Sequence, residues 1–374
     1  MSKKTIRLIR LAASVPILAF VFCGLVSCQT KLNSVSYKKW TVSEPIMTKG
    51  PEGSFDNVAT KDPSIVFYNG KYHLFYTAKS SHRIEGKRRF GISVGYTSSP
   101  TLEGLKDSKR YDFKKIVDEV IIAPQIFFFE PQKKWYLIAH KNMAHNRDLA
   151  PVYLTNENIE DVNGWSKPKL LRTGKAGNEF WIDFWVICDD QDAHLFYSNQ
   201  RGSVLRMQCP IDEFPQGLTK AEEKVALTVS GDDDRGGPWR MFEAVHIYHV
   251  KKTDQYLAIL ECGYENLNRE KLVDARNRFL IAMVADKLQG PWRRVESGVN
   301  EYFADASALY NEDGTPSAYT LVSHPELIRN GYNQKLEITD FNITMLMQSF
   351  DGSAFSDNYY YSELPWELAI VTNY

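Results

Sequence analysis

Hydrophobic and β-branched residues recur along this chain in short paired runs, not in the long stripes of amphipathic helices. The first pair is Lys61-Asp62-Pro63-Ser64-Ile65-Val66-Phe67-Tyr68 and Lys71-Tyr72-His73-Leu74-Phe75-Tyr76, joined at Asn69-Gly70. Asn-Gly between two such runs predicts a β-hairpin, because both residues tolerate the positive φ angles of a tight turn. The pattern returns at residues 123–129 with 134–138, at 183–187 with 193–197, and at 243–248 with 255–260. A weaker copy covers 305–310 with 318–322. The copies begin at Asp62, Ala123, Asp183, Glu243 and Asp305, about sixty residues apart.

Five copies of one hairpin at a fixed period predict a radial or stacked repeat. The period is too long for a β-helix coil and suits a four-stranded propeller blade. Later strand signals carry tryptophan, at Asn163-Gly164-Trp165-Ser166 and Gly290-Pro291-Trp292, and are read as opening the outer strands of blades two and four. Residues 37–47 are expected to add an outer strand to the last blade and close the ring. The fold expected is therefore all-β, a five-bladed β-propeller.

In a propeller the innermost strands surround one axis, so equivalent positions meet at one mouth. The repeat places Asp62, Ala123, Asp183, Glu243 and Asp305 there. Crowded carboxylates are costly unless solvated or paired, and like charges drive their pKa values apart. One protonated acid beside one ionised base is what glycosidic cleavage requires. Asp183 lies between Trp181-Ile182 and Phe184-Trp185, and Glu243 follows Met241-Phe242, contexts in which a charge needs a reason. Asp305 has the weakest context and reads as structural. Asp232-Asp233-Asp234 with Arg235-Gly236-Gly237 reads as a loop near the mouth.

Charge and composition narrow the picture. With 45 basic and 46 acidic side chains the net charge is -1, which argues against a nucleic-acid partner. At the N-terminus, Lys3, Lys4, Arg7 and Arg10 precede an apolar run over residues 11–26 and then Leu25-Val26-Ser27-Cys28. This resembles a bacterial lipobox. Residues 1–28 are expected to be a lipoprotein signal peptide with Cys28 as the lipidation site, residues 29–36 a short linker, and residues 37–374 the propeller. The expected location is an exported lipoprotein at the outer membrane or cell surface, touching membrane only through its lipid. Cys188, Cys209 and Cys262 show no metal-ligand spacing, and Cys188 reads as a buried thiol.

The order and spacing of these segments resemble glycoside hydrolase family 62, the α-L-arabinofuranosidases, which share a five-bladed propeller clan with family 43. The resemblance rests on Lys61-Asp62-Pro63-Ser64-Ile65-Val66, Ala123-Pro124-Gln125-Ile126-Phe127, Ile182-Asp183-Phe184-Trp185, Phe242-Glu243-Ala244 and Ser323-His324-Pro325-Glu326-Leu327. It implies an inverting, exo-acting enzyme that removes arabinofuranosyl side chains from arabinoxylan or a related polysaccharide. By the same resemblance Asp62 would be the general base, Glu243 the general acid, and Asp183 the residue that raises the acid's pKa and orients it. Lys61, Gln125, Tyr332 and Asn333 would bind arabinose, and His324 would serve a Ca²⁺ ion on the axis. No organic cofactor and no oligomer are implied. Two rivals stand beside this reading: a family 43-like β-xylosidase or arabinanase, and a non-catalytic surface glycan-binding lipoprotein.

The chain departs from the family pattern at His140-Lys141, where Gln-Trp is usual, and at Pro325, where glycine is usual. It has no cysteine beyond Cys262 to close the terminal segments, and residues 266–276 are longer and more charged than expected. These departures direct doubt toward the outer subsites rather than the catalytic centre.

Overall fold

The computed structural model describes residues 39–142, 149–172, 182–265, 278–295, 302–354 and 363–373. The segment expected to be a signal peptide, Cys28 and the expected linker lie outside them, as do Trp181 and the charged segment 266–276. Five sheets, antiparallel through their main strands, account for the described strands. Blade one runs through Ala59–Tyr68, Lys71–Ile84, Lys87–Ser99 and Tyr111–Asp112. Blade two has Ile121–Phe129, Lys134–Asn142, Leu149–Asn156 and Lys169–Leu170; blade three has Ile182–Cys188, Asp192–Ser198, Ser203–Pro210 and Lys224–Thr228. Blade four is built on Gly237–Val250, Gln255–Tyr264, Arg278–Ala285 and Arg293–Arg294. The first strands of successive blades touch one another in a closed cycle, which makes the molecule a five-bladed β-propeller.

Blade five differs from the expectation. Its inner strand is Ser323–Leu327, followed by Thr344–Ser349 and Glu367–Asn373. Residues 305–310 do not start that blade. Asp305 instead caps a short turn, its carboxylate accepting the N–H groups of Ser307 and Ala308, and it pairs with Arg235. The N-terminal strand Trp40–Val42 pairs antiparallel with Glu367–Asn373, so the two ends of the described chain close the last sheet. Leu309–Asn311 then adds in parallel outside it. The sheets pack through apolar faces whose largest fully buried side chains include Trp40, Trp135, Trp366, Tyr136 and Phe127. Cys188, Cys209 and Cys262 are free and buried.

Each inner strand is bent by a β-bulge at the same place. The pairing register shifts between Lys61 and Ser64, Ile122 and Gln125, Ile182 and Trp185, Glu243 and Val245, and Ser323 and Glu326. One residue of every bulge has positive φ: Asp62, Ala123, Asp183, Ala244 and His324, between 41° and 57°. A bulge re-aims side chains at the rim of a sheet, and a non-glycine residue is held in this region only when its surroundings fix it. The repeat is thus real, but in blade four Ala244 rather than Glu243 occupies the equivalent position, and in blade five His324 replaces Asp305. Pro325 follows its left-handed residue as Pro63 and Pro124 follow theirs, so this departure from the family repeats a pattern already present in blades one and two.

Candidate active site

Hydrogen bonds between blades hold the bulges. Opposite Lys61, Ile122, Ile182, Glu243 and Ser323, the second strands carry Thr77, His140, Ser198, Glu261 and Gln348. All five reach the next blade, four of them by accepting a backbone N–H. Thr77 Oγ1 accepts the N–H of Ala123 at 2.8 Å, and His140 Nε2 accepts that of Asp183 at 2.9 Å. Glu261 Oε2 accepts the N–H of His324 at 3.0 Å, and Gln348 Oε1 that of Asp62 at 2.7 Å. At the remaining joint, Ser198 Oγ donates to Phe242 O and the Asp183 carboxylate accepts the N–H of Ala244. His140 therefore has a defined place as one link of this cycle. Burial lowers its pKa, in keeping with a neutral ring that accepts a bond.

The links bring Asp62, Asp183, Glu243 and Lys61 to one mouth. His324 stands among them, its Nε2 3.5 Å from Asp62 Oδ1 and 3.4 Å from Asp183 Oδ2, its Nδ1 3.2 Å from Glu261 Oε2. Arg278 joins the acids from the other side, 3.2 Å from Glu243 and 2.7 Å from Glu261. Lys61 Nζ lies 3.6 Å from Asp62 and over the Trp366 ring.

These neighbours drive the carboxylates in opposite directions. Burial raises the pKa of Glu243, and Glu261 and Asp183 add to it, which together outweigh Arg278. Burial also opposes ionisation of Asp62, but Lys61 and His324 prevail and hold its pKa below the ordinary value. Asp183 is lowered against burial chiefly by His324, then by His140 and the Ala244 N–H. His324 would lose its charge to burial alone; Asp62, Asp183 and Glu261 raise its pKa well above that of a free histidine.

The other expected sugar ligands part company with this group. Gln125 borders the axial cavity, yet both ends of its amide are engaged by Val186, donating to the carbonyl and accepting the N–H at 2.7 Å each. Tyr332 and Asn333 lie at the opposite end of the blades. Tyr332 packs on Tyr68, Phe128 and Trp135, and its carbonyl accepts the Phe128 N–H. Phe128 is five residues along its strand from Ala123, roughly 16 Å away. The loop after Leu327 crosses to that face instead of folding back over the mouth.

Three participants were not anticipated. Glu261 is fully buried with its pKa pulled down to about 2, burial being overcome by Arg278 and His324. Its signal was a single carboxylate within the apolar run Leu257-Ala258-Ile259-Leu260-Glu261-Cys262. Arg278 opens an apolar strand and offered a similar signal. His246 stacks on Trp185 with ring centroids 4.3 Å apart, and burial takes its pKa down to about 3.

A cation on the axis would meet the Asp62 and Asp183 carboxylates, and would meet His324 as a donor once that ring gives up the proton its acidic neighbours favour. Asp62 Oδ1 and His324 Nε2 are buried and lack a hydrogen-bond partner. Beside them a cavity of about 20 Å³, bordered by Asp62, Asp183, His246 and His324, has room for one water-sized occupant.

A buried carboxyl displaced upward and a carboxylate displaced downward at one mouth of a propeller are the kind of pair that glycosidic cleavage requires. Comparison with known proteins narrows the class. The sequence model of Glycosyl hydrolase family 62 matches residues 39–372, and the chain belongs to that family. It is 26% identical over 334 residues to alpha-L-arabinofuranosidase C of Cellvibrio japonicus, an alignment covering 89% of this chain and 46% of that protein. The chain thus spans about half the length of that curated relative. The catalytic domain of a Coprinopsis cinerea family 62 alpha-L-arabinofuranosidase superposes with a TM-score of 0.73 at 27% identity, covering 90% of this chain and 98% of that one. The Podospora anserina alpha-L-arabinofuranosidase, solved in complex with cellotriose, shares the fold with a TM-score of 0.73 at 24% identity, covering 91% and 98%.

Proposed function

We propose that the protein is an inverting, exo-acting α-L-arabinofuranosidase that releases terminal arabinofuranosyl side chains from arabinoxylan or a related polysaccharide. The observation that carries this reading is the convergence of Asp62, Asp183 and Glu243 at one mouth, where His324 bridges the two aspartates and the Asp183 carboxylate holds the residue after Glu243. Family membership and the arabinofuranosidase names of the relatives support the sugar; the cellotriose bound to the Podospora protein supports an oligosaccharide partner.

At neutral pH the ionised Asp62 takes a proton from a water molecule, whose oxygen attacks the anomeric carbon. Glu243 gives its proton to the glycosidic oxygen as the C–O bond breaks. Arabinose leaves with its anomeric configuration inverted, and the polymer leaves with a free hydroxyl. Solvent then returns the proton from Asp62 to Glu243. Asp183 keeps Glu243 protonated by like charge and fixes the adjacent backbone, while Arg278 limits how far the acid can swing. We assign Asp62, Asp183 and His324 to the Ca²⁺ ion implied by the family resemblance. Calcium prefers oxygen, so the carboxylates and water would dominate its shell. Bound there, it would neutralise part of the acidic cluster.

Incubating the mature protein with arabinoxylan and with arabinan, and following the products by NMR, tests the reading. Arabinose appearing first as the β-anomer is the expected result; no arabinose from either polymer overturns it. The N-terminal reading is a separate proposal, an outer-membrane or surface lipoprotein acting as a monomer. It predicts that Cys28→Ala abolishes fatty-acid labelling and frees the protein from membranes.

A further inference from the structure

Among the described residues of blades one to three, the second and third strands are longest in blade one. They are Lys71–Ile84 and Lys87–Ser99, with 14 and 13 residues, against 9 and 8 in blade two and 7 and 8 in blade three. Thr77 is the residue opposite Lys61, so the strand continues seven residues beyond the catalytic level. The innermost strand pairs as far as Ala59 opposite Lys79, and beyond it about 16 Å of two-stranded ribbon stands as an arm on the mouth side.

Its composition is unlike the rest of the chain. Lys79, Arg83, Lys87, Arg88 and Arg89 face a single acid, Glu85, in a protein whose net charge is -1. Residues 82–90 are all exposed, and with them the apolar Ile84, Phe90 and Ile92. Arg88 pairs with Glu363 and lies over the Phe90 ring. Among the described residues, Arg83, Lys87 and Arg89 have no acidic partner.

The arm is also continuous with the site. Ile92 stands opposite Lys79, Phe90 opposite Ser81, and Arg88 opposite Arg83. The pleat puts these three pairs on one face of the ribbon. Lys79 is near enough to Lys61 and Asp62 to feel both charges. One face therefore leads from Lys79, beside the catalytic base, through Ile92 and Phe90 to the guanidinium groups of Arg83 and of Arg88, the latter paired with Glu363. Lys87 and Arg89, opposite Ile84 and His82, lie on the other face.

We propose that the hairpin arm over residues 79–92 binds an anionic polysaccharide, holding a carboxylated or sulfated chain beside the mouth where its arabinose side chain is removed. The second half of this statement rests on the arabinofuranosidase reading; binding by the arm does not. Apolar sugar faces meet Phe90 and Ile92 and acidic groups meet Arg83 on that face, while Lys87 and Arg89 add positive charge from the other side of the ribbon tip. A second copy of the molecule is a poor occupant, since two basic arms repel.

The test compares the mature protein with the triple variant Arg83→Ser, Lys87→Ser, Arg89→Ser and with Phe90→Ala. Affinity electrophoresis through polygalacturonate, carrageenan and neutral arabinan reads binding without requiring turnover. Retardation by one or both anionic polymers, lost in the triple variant and in high salt, is expected, and which polymer retards separates carboxylate from sulfate recognition. No retardation by either overturns the proposal. In kinetics, kcat/KM on an arabinoxylan bearing uronic acids should fall about tenfold in the triple variant, with an aryl arabinofuranoside unaffected. Equal losses on both substrates count against it. Loss of binding to phosphatidylglycerol vesicles with unchanged polymer binding would make the arm a membrane contact instead. Failure to cleave even the aryl arabinofuranoside would sink the arabinofuranosidase reading while leaving the electrophoresis result to stand alone.

Discussion

The Asp183 carboxylate accepts the backbone N–H of Ala244 at 2.7 Å, and so grips the residue next to Glu243 from the neighbouring blade. The same carboxylate helps raise the pKa of Glu243. Two roles, orientation and charge, meet in one side chain, and they separate on substitution. Asp183→Asn keeps an oxygen to accept the N–H but removes the like charge.

Activity requires Glu243 protonated, so it declines as pH rises through the Glu243 pKa, which lies above the ordinary carboxylate value. Losing the Asp183 charge lowers that pKa. In Asp183→Asn the alkaline limb of the kcat/KM profile should move to lower pH, with kcat reduced about tenfold or more. A pH–rate series on a soluble arabinofuranoside reads both, and an unmoved limb would contradict the charge role.

Asp62→Ala and Glu243→Ala should each lower turnover on polymer by about two to four orders of magnitude, while circular dichroism stays unchanged. The two should differ on a substrate with an activated phenol leaving group. That group needs no proton, so Glu243→Ala regains much of its rate and Asp62→Ala does not.

Glu261 is enclosed by Arg278, Ser323 and His324. Glu261→Gln leaves Arg278 with less compensation inside the protein, and breaking a buried pair in this way costs about 3–5 kcal/mol. A lower urea midpoint with unchanged slope is expected, and activity should fall with it because Arg278 also contacts Glu243.

Gln125 distinguishes architecture from sugar binding. Its two bonds to Val186 couple blades two and three, and Gln125→Ala should cost about 1–3 kcal/mol by exposing unsatisfied backbone groups. The loss should appear in the melting temperature, with little change in KM for a small arabinofuranoside. A large KM effect in a stable variant would restore the sugar-binding role.

Chelation tests the axial ion. EDTA is expected to lower the melting temperature, and added Ca²⁺ to restore it, since an ion that binds only the folded state stabilises it by mass action. A melt indifferent to both would count against the ion.

Much of this was legible in the sequence because hairpin runs and Asn-Gly turns are local. Three inner strands begin where the apolar pattern put them. Blade four was read one residue early, since its bulge adds a residue that a simple period cannot register, and Glu243 lies beside the left-handed position instead of on it. The inner strand of blade five was placed too early, at Asp305, because the true one opens with Ser323-His324-Pro325-Glu326, whose polar side chains mask the alternation of a strand. Those side chains are polar because they hold the ring together. Glu326 accepts bonds from Ser64, Ile65 and Tyr248, thereby joining the last blade to the first and to the fourth. Tyr332 and Asn333 followed a sequence pattern, but the direction of the loop that carries them is set by distant contacts with Tyr68 and Trp135.

The five bulges have one further consequence. Their backbone shape is secured mainly by the neighbouring blade and hardly by the side chain each displays, so Asp, Ala, Asp, Ala and His can occupy the same bend. The mouth behaves as five interchangeable seats around a common axis. Redistributing acids, bases and small residues among those seats offers a route to a different reaction without rebuilding the scaffold.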